Sequence, residues 1–485
     1  MGSQCSPLTG RRRRRRWLRI ASCRRNEAAR GTPTFSIKSV QSSTMAKAGD
    51  SRTDPIGLET LAPRLLLVGN LALLALATSW LGYQSWRLLF QDGPIGAIDL
   101  RNRWTEVAEF MAGEQVYRKR PDAVYPPASY LFMIPLIGWV KFETARGIWF
   151  ALSCLALCIL GRLVWSECKA CTRSERALTL LAALAAYPIG ATMGNGQLGL
   201  VVILCLIASL PRLMQADRSI AEDLTITFIF LGALTKPSLG AFFFWIVLFA
   251  RGGLRPAAMV LGSYAVLTWA ASLFHQQGPV AVMRRWFQGG VRGSKWGATY
   301  GSGGIHPSGQ GDGLTGQVSD AHVEVTATES MLRIENINLH SVLSWMGERG
   351  HIAMASFVAL LLLGVWVAWH RRSPIWYQIG VTAIVTRLGV YHAWYDDVIM
   401  LLPIIALYRI SIGLEGVSNP QRRLAGILCL ASVLFLLAPG GIYLLPVMLS
   451  NFYVVAQFLL WLAVLVYLAA GASTQRRIEP LQSIE

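Results

Sequence analysis

An all-α, polytopic membrane fold is what this sequence predicts, and three observations predict it. Of the 485 residues, 53% are hydrophobic and only 15% are charged, against roughly a quarter charged in a soluble chain. The apolar residues come in long blocks, many of them near the roughly 20 residues that cross a bilayer core. The short connections between blocks are basic or rich in Gly and Pro, the pattern of a helix bundle with cytoplasmic basic turns.

The formal charge of +18 raises nucleic acid as a partner. Most of the excess sits in the N-terminal tail and in the short connections, where it marks cytoplasmic ends, so no nucleic-acid partner is predicted. Residues 1–60 read as a basic, disordered cytoplasmic tail. Its arginine run at 11–16 suits anionic headgroups, and translation from Met45 would omit that run. No short apolar run with a small-residue cleavage site follows, so no secretory signal is expected. Cys168 and Cys171 form a lone C-x-x-C. A zinc site needs about four ligands, and without a second pair these read as free thiols in a cytoplasmic turn.

The first span is expected at 61–90 and opens an N-terminal membrane module, 61–274. A polar loop follows at 91–127, in which Trp104, Val107, Ala108 and Met111 keep helical spacing, as in a helix lying on a membrane surface. Further apolar blocks occupy 128–140, 148–165, 177–193, 198–214, 224–234, 239–249 and 257–274. A second polar segment, 275–350, reads as a flexible loop whose Gly/Ser-rich part, 289–316, has the character of a lid. Blocks at 352–369, 376–390, 398–408, 424–437 and 452–470 make a C-terminal set of helices within 351–472, followed by a cytoplasmic tail, 473–485.

Basic connections at 162–176, 212–218, 251–255, 370–372 and 409–423 fall on the cytoplasmic side by their charge. Both long polar segments and the turn 391–397 then face the other way. On this solution 224–249 begins and ends on one side, so Pro237 must divide it into a helix pair turning at Lys236. The block 128–140 is too short to cross and reads as a re-entrant or surface helix. The count comes to about twelve spans with both termini inside. Helix breaks at membrane depth are tolerated only where they are buried in protein or line a cavity, so a polar cavity is expected.

Candidate functional groups collect on the non-cytoplasmic side. Asp99 reads either as a solvated loop carboxylate or as a general base for a hydroxyl. Arg101, Arg103, Arg118, Lys119 and Arg120 form either a solvated face or a clamp for a phosphate group, which guanidinium forks match. Lys236, an ionisable residue at a helix break, is a functional-site candidate unless it snorkels to an interface. His392, Asp396 and Asp397 in the turn 391–397 offer ligands for a divalent metal or sugar hydroxyls, although a carboxylate there also caps a helix. Asn195 and Gln197 flank a glycine turn and offer amides to hydroxyls.

The order of these motifs resembles glycosyltransferase family 87, whose members are similar to polyprenol-phosphate-mannose-dependent mannosyltransferases and share the C-type membrane glycosyltransferase fold. The resemblance spans about 61–406 and rests on Asp99, the helix 104–111, Gly113 and Tyr117, Tyr125-Pro126-Pro127, Gly196-Gln197, Lys236-Pro237, Asn336 to Leu339, and His392 to Asp397. Leu100 replaces the usual aromatic, and the Gly-Gln motif lacks its following Asn. The resemblance implies a membrane hexosyltransferase in which Asp99 is the catalytic base. Arg101, Arg103, Tyr125, Gln197, Lys236, His392, Asp396 and Asp397 would bind substrate. It implies a polyprenyl-phosphate sugar donor, mannose among the hexoses, a glycan or glycolipid acceptor, inversion, and a plasma-membrane location with the site on the non-cytoplasmic face. No metal or other cofactor is predicted, since a basic clamp serves a phosphate-linked donor. The rival is a transporter or flippase for a lipid-linked saccharide, disfavoured by the lack of internal repeats.

Overall fold

The computed structural model describes residues 58–93, 96–120, 123–168, 171–215, 217–275, 277–300, 337–346, 352–390, 394–437 and 445–482. The N-terminal tail, Asn336 and His392 lie outside the described residues. Among those described, all regular structure is helical.

In chain order the helices are α1 (Leu58–Leu89), α2 (Ile98–Met111), the single turn α3 (Val116–Lys119) and α4 (Pro127–Met133), which runs into a π-helical turn, Ile134–Gly138. Next come α5 (Phe142–Glu167), α6 (Arg173–Ala185), α7 (Tyr187–Asn195), α8 (Gly199–Ser209), α9 (Ile220–Ala233), α10 (Pro237–Gly240) and α11 (Phe244–Phe249). The chain continues through α12 (Leu254–Phe274), α13 (Pro279–Tyr300), α14 (Leu339–Trp345), α15 (Ile352–Trp369) and α16 (Ile375–Gly389). A 3₁₀ turn, Trp394–Met400, leads into α17 (Leu401–Ser411), followed by α18 (Asn419–Leu437) and α19 (Val447–Gln482).

Five of these, α1, α5, α12, α18 and α19, are long and apolar enough to cross a membrane, or up to seven if each of two bent pairs is one span. Pro127–Gly138, Gly199–Met214 and Met354–Trp369 are apolar but shorter. Leu65, Leu67, Val68 and Leu71 of α1 stand exposed, a face that lipid solvates and water would not.

The bent pairs carry the architecture. The second one, α9 with Pro237–Phe249, turns through 119° at the Lys236-Pro237 step read from the sequence. Proline lacks the N–H that would continue α9 and takes the first position of α10 instead. Both ends of this pair return to one place. Asp223, fully buried near the start of α9, binds Arg218 (Nε to Oδ1 2.9 Å) and Arg255 together. Arg218 also donates to the carbonyls of Arg251 and Gly252, each at 3.0 Å. The basic connections 212–218 and 251–255 therefore meet on one side, as their charge demanded. Arg409 likewise joins Glu167 at 2.5 Å and Glu415 at 3.0 Å, uniting the connections after α5 and α17.

Two parts of the sequence reading need correction. Block 177–193 is not one helix, because the chain breaks at Ala186 and bends by 45°, with Pro188 in the first turn of α7. The polar segment 275–350 is not open loop at its start: α13 runs to Tyr300 and absorbs the first glycines of the expected lid. No disulfide forms among the described cysteines, and Cys171 Sγ lies 3.1 Å from the Tyr408 hydroxyl.

A buried arginine ties α5 to the end of α1. Arg146 donates to the carbonyls of Leu88 at 2.5 Å and Gln91 at 2.8 Å, satisfying orphan carbonyls at a helix C-terminus where positive charge is favoured. The turn after α7 is tighter still. Gly196 has φ +73°, and a Cβ there would meet Leu100 Cβ of α2 at 2.4 Å. Only glycine lets α2 sit against this turn. Gly196→Ala is expected to destabilise the protein by about 1–3 kcal/mol through overpacking and backbone strain. A thermal-melting comparison with the wild type in detergent checks this, and an unchanged midpoint would contradict it.

Candidate active site

Four separate pieces of chain converge beside the Lys236 break. From α2 comes Asp99, in the first turn of the helix. Arg103 lies four residues on and so shares its face. The turn after α7 supplies Gln197, the loop before α4 supplies Tyr125, and the 3₁₀ turn supplies Asp396.

Lys236 stands at the centre. It is 7% exposed, and its Nζ donates to Asp396 Oδ1 at 2.5 Å and to Gln197 Oε1 at 3.0 Å. The ring of Tyr395 lies 5.2 Å away, close enough for a cation–π contact. Gln197 Oε1 also accepts from the Tyr125 hydroxyl at 3.3 Å. With both donors on its oxygen, the Gln197 amide nitrogen is left to face Asp99.

Asp99 keeps an open position. Its Oδ2 is shut off from solvent and has no hydrogen-bond partner. Burial raises its pKa above the ordinary aspartate value, and neighbouring Asp396 adds to the rise. The Gln197 amide, Lys236 and Arg103 oppose it without cancelling it. A carboxylate whose pKa burial raises, with one oxygen unoccupied, suits proton transfer.

Arg103 is buried and held from two sides. It meets Glu106 Oε2 at 2.5 Å and stacks 4.6 Å above the Tyr125 ring. Glu106 also accepts from the Tyr130 hydroxyl at 2.9 Å. Neither Glu106 nor Tyr130 was singled out in the sequence, although Glu106 at i+3 from Arg103 is a readable helix pair.

Other expected site residues are placed elsewhere. Arg101 points away from Asp99, its guanidinium 4.7 Å from the Phe142 ring, because residues two apart on a helix lie on opposite sides. Lys119 and Arg120 are taken up by Glu114 and Glu109 at 2.6 and 2.8 Å, so they form no open phosphate clamp with it. Asp397 is fully buried and bound to Arg387 of α16, a structural ion pair rather than an open ligand. Arg387 was the missed signal, a lone arginine inside an apolar block. Asn338 caps α14, its Oδ1 accepting from the Ser341 amide at 2.9 Å. Among the described residues, no three of His, Cys, Asp and Glu gather to hold a metal ion.

The fold and this centre define a multi-pass membrane protein whose polar site is built at a helix break, with an unpaired carboxylate facing a lysine and an arginine. Residues 123–305 match the model of glycosyltransferase family 87, so the resemblance drawn from the motifs holds over that stretch, and the chain reads as a membrane glycosyltransferase. Tyr125, Gln197 and Lys236 fall within the matched stretch, while Asp99, Arg103 and Asp396 lie outside it. No curated protein and no solved structure matches the chain.

The Lys236–Asp396 pair makes a sharp expectation. Lys236→Met alone removes the lysine from a buried ion pair, a loss of about 3–5 kcal/mol. The double variant Lys236→Met/Asp396→Leu removes both charges and should recover most of that stability. It should not recover transfer. Melting and activity measured on the three proteins check both halves, and a double variant no more stable than Lys236→Met would show that the pair is not the unit.

Proposed function

We propose that the chain moves a hexose, mannose among the candidates, from a polyprenyl-phosphate sugar to a glycan or glycolipid acceptor. The reading includes the non-cytoplasmic face of the plasma membrane and about twelve spans with both termini inside. The single observation that carries it is the unpartnered oxygen of Asp99, buried within electrostatic reach of Lys236 and Arg103.

In this mechanism the acceptor hydroxyl sits against Asp99 Oδ2, which takes its proton as the oxygen attacks the anomeric carbon. The bond from that carbon to the phosphate oxygen breaks on the far face, its electron pair leaves with the lipid phosphate, and the anomeric centre inverts. Negative charge grows on the departing phosphate, and a preorganised cation stabilises it most in a dry site. Lys236 is that cation, aimed by Asp396 and Gln197. Arg103 stays on Glu106 and Tyr125 and shapes the floor below the sugar. Arg101, turned toward Phe142, is at most an outer contact for the lipid phosphate. His392 and Asp397 keep the sugar-orienting part they were given from the sequence only if the turn 391–397 rearranges around substrate.

Asp99→Asn should lower transfer by roughly 10²–10⁴-fold, the usual worth of a positioned base, when purified protein is incubated with radiolabelled polyprenyl-phosphate sugar. A near-normal rate would remove Asp99 from the mechanism, and translocation without a new glycosidic bond would favour a flippase. The base works only when deprotonated. With its pKa raised, the acid limb of kcat/KM should lie above the ordinary aspartate range, with activity rising as pH rises through it. The same shift sets stability. The folded chain holds this proton to higher pH than the unfolded chain, so ionising Asp99 costs stability as pH rises through the window between the two values. Asp99→Asn should therefore melt no lower than the wild type at pH 7, and a clear drop in melting temperature would argue that Asp99 is structural.

A further inference from the structure

A small cleft outside the candidate active site is lined mostly by polar and charged residues and is used by none of the steps above. It opens where the end of α12, the α3 turn and the start of α13 meet, and is lined by Gln115, Tyr117, Arg118, His275 and Arg285 among others. His275 is 6% exposed; the Glu114 backbone is its one polar neighbour within reach, and neither ring nitrogen makes a hydrogen bond of good geometry. The edge contact with Phe110, 4.7 Å between ring centres, holds the imidazole in place. A buried imidazole with at least one nitrogen unsatisfied costs free energy unless something else meets it.

The charges around it are unbalanced. Arg285 donates to Gln115 Oε1 at 2.7 Å, a neutral partner that leaves its charge uncompensated. Arg118 is exposed and forms no ion pair among the described residues. The nearest acids are already matched, Glu114 to Lys119 and Glu109 to Arg120. The α13 segment carries Arg284, Arg285, Arg292 and Lys295 and no acidic residue. Val280 and Phe287 on the same helix stand exposed, and Trp286 Nε1 is anchored to the Val124 carbonyl at 2.9 Å. A helix with this composition lies in the headgroup plane of a bilayer. Beside the cleft runs an open groove of about 710 Å³, bordered by Val280, Arg284, Arg285 and Gln288. The cleft proper has room for little more than one water-sized group, about 10 Å³, so it admits a phosphate oxygen while the rest of a headgroup lies in the groove.

We propose that Arg118, His275 and Arg285 form a binding site for the phosphate headgroup of an anionic lipid, separate from the Lys236 centre and independent of the reaction assigned to it. The Tyr117 hydroxyl, which lines the cleft, donates to the Tyr125 carbonyl at 2.8 Å and so links the two. A lipid bound at the cleft thus braces the loop that carries Tyr125.

Native mass spectrometry of the full chain in neutral detergent tests this, with phosphatidylglycerol, phosphatidylcholine and inorganic phosphate each titrated as probe. Wild type should retain one phosphatidylglycerol more tightly than phosphatidylcholine. Arg118→Gln/Arg285→Gln should weaken that first binding by about tenfold or more, given the attraction each basic side chain has for an anionic headgroup. His275→Phe, which keeps the ring contact with Phe110, should weaken it as well. Arg372→Gln, a charge change at another connection, should leave it unaltered. Equal retention of both lipids, an unchanged first site in the double variant, or tight retention of inorganic phosphate without any lipid preference would each overturn the proposal.

Discussion

The bond between Lys236 and Asp396 is the constraint around which the site is arranged. Two opposite charges buried inside a membrane protein are tolerable only together, since either one alone would face a desolvation cost of several kcal/mol. The pair therefore fixes the apex of the bent helix pair to the 3₁₀ turn before α17, which lies far away in the chain. Gln197 adds the turn after α7 to the same knot, and Tyr125 adds the loop before α4. Four irregular backbone segments, none of which could persist alone at membrane depth, satisfy one another.

Within that knot the distribution of partners is uneven. Arg103 has Glu106, Lys236 has Asp396, and Asp397 has Arg387. Asp99 has an amide on one side and nothing on its Oδ2. Natural sequences satisfy nearly all buried polar groups, and the departures cluster where function needs them. The same logic marks His275, which is incompletely satisfied in a cleft that the Asp99 chemistry leaves untouched.

Much of the architecture was legible because membranes enforce simple rules. The apolar blocks, the short surface helix after the first span and the Lys236-Pro237 break follow from hydropathy, helical period and the missing proline N–H. That two of the basic connections should lie together followed from charge, and Arg218 reaching across to the carbonyls of Arg251 and Gly252 is its physical counterpart. What could not be read was direction. Arg101 and Arg103 look alike in the sequence, yet a rotation of two residues sends one toward Phe142 and the other toward Tyr125. Nor could the neutralisation of Arg120 be foreseen, because its partner Glu109 lies on the helix before the intervening turn. The break at Ala186 hid inside an unbroken apolar run, where Pro188 was its only signal. Arg387 is the opposite case: its partner Asp397 is only ten residues on, but it is a single charge inside an apolar block.

Biogenesis inherits a condition from the bent pair of α9 with α10 and α11. Each arm is shorter than the roughly 20 residues that an insertion pathway recognises as a span, and the apex bears a cation that lipid rejects. Neither arm can partition into the bilayer by its own hydrophobicity. They must enter as a unit and wait, with Lys236 unmatched, until synthesis has proceeded some 160 residues and Asp396 emerges. A nascent chain truncated before that point would hold a membrane-exposed charge, which is the kind of lesion that quality-control proteases detect.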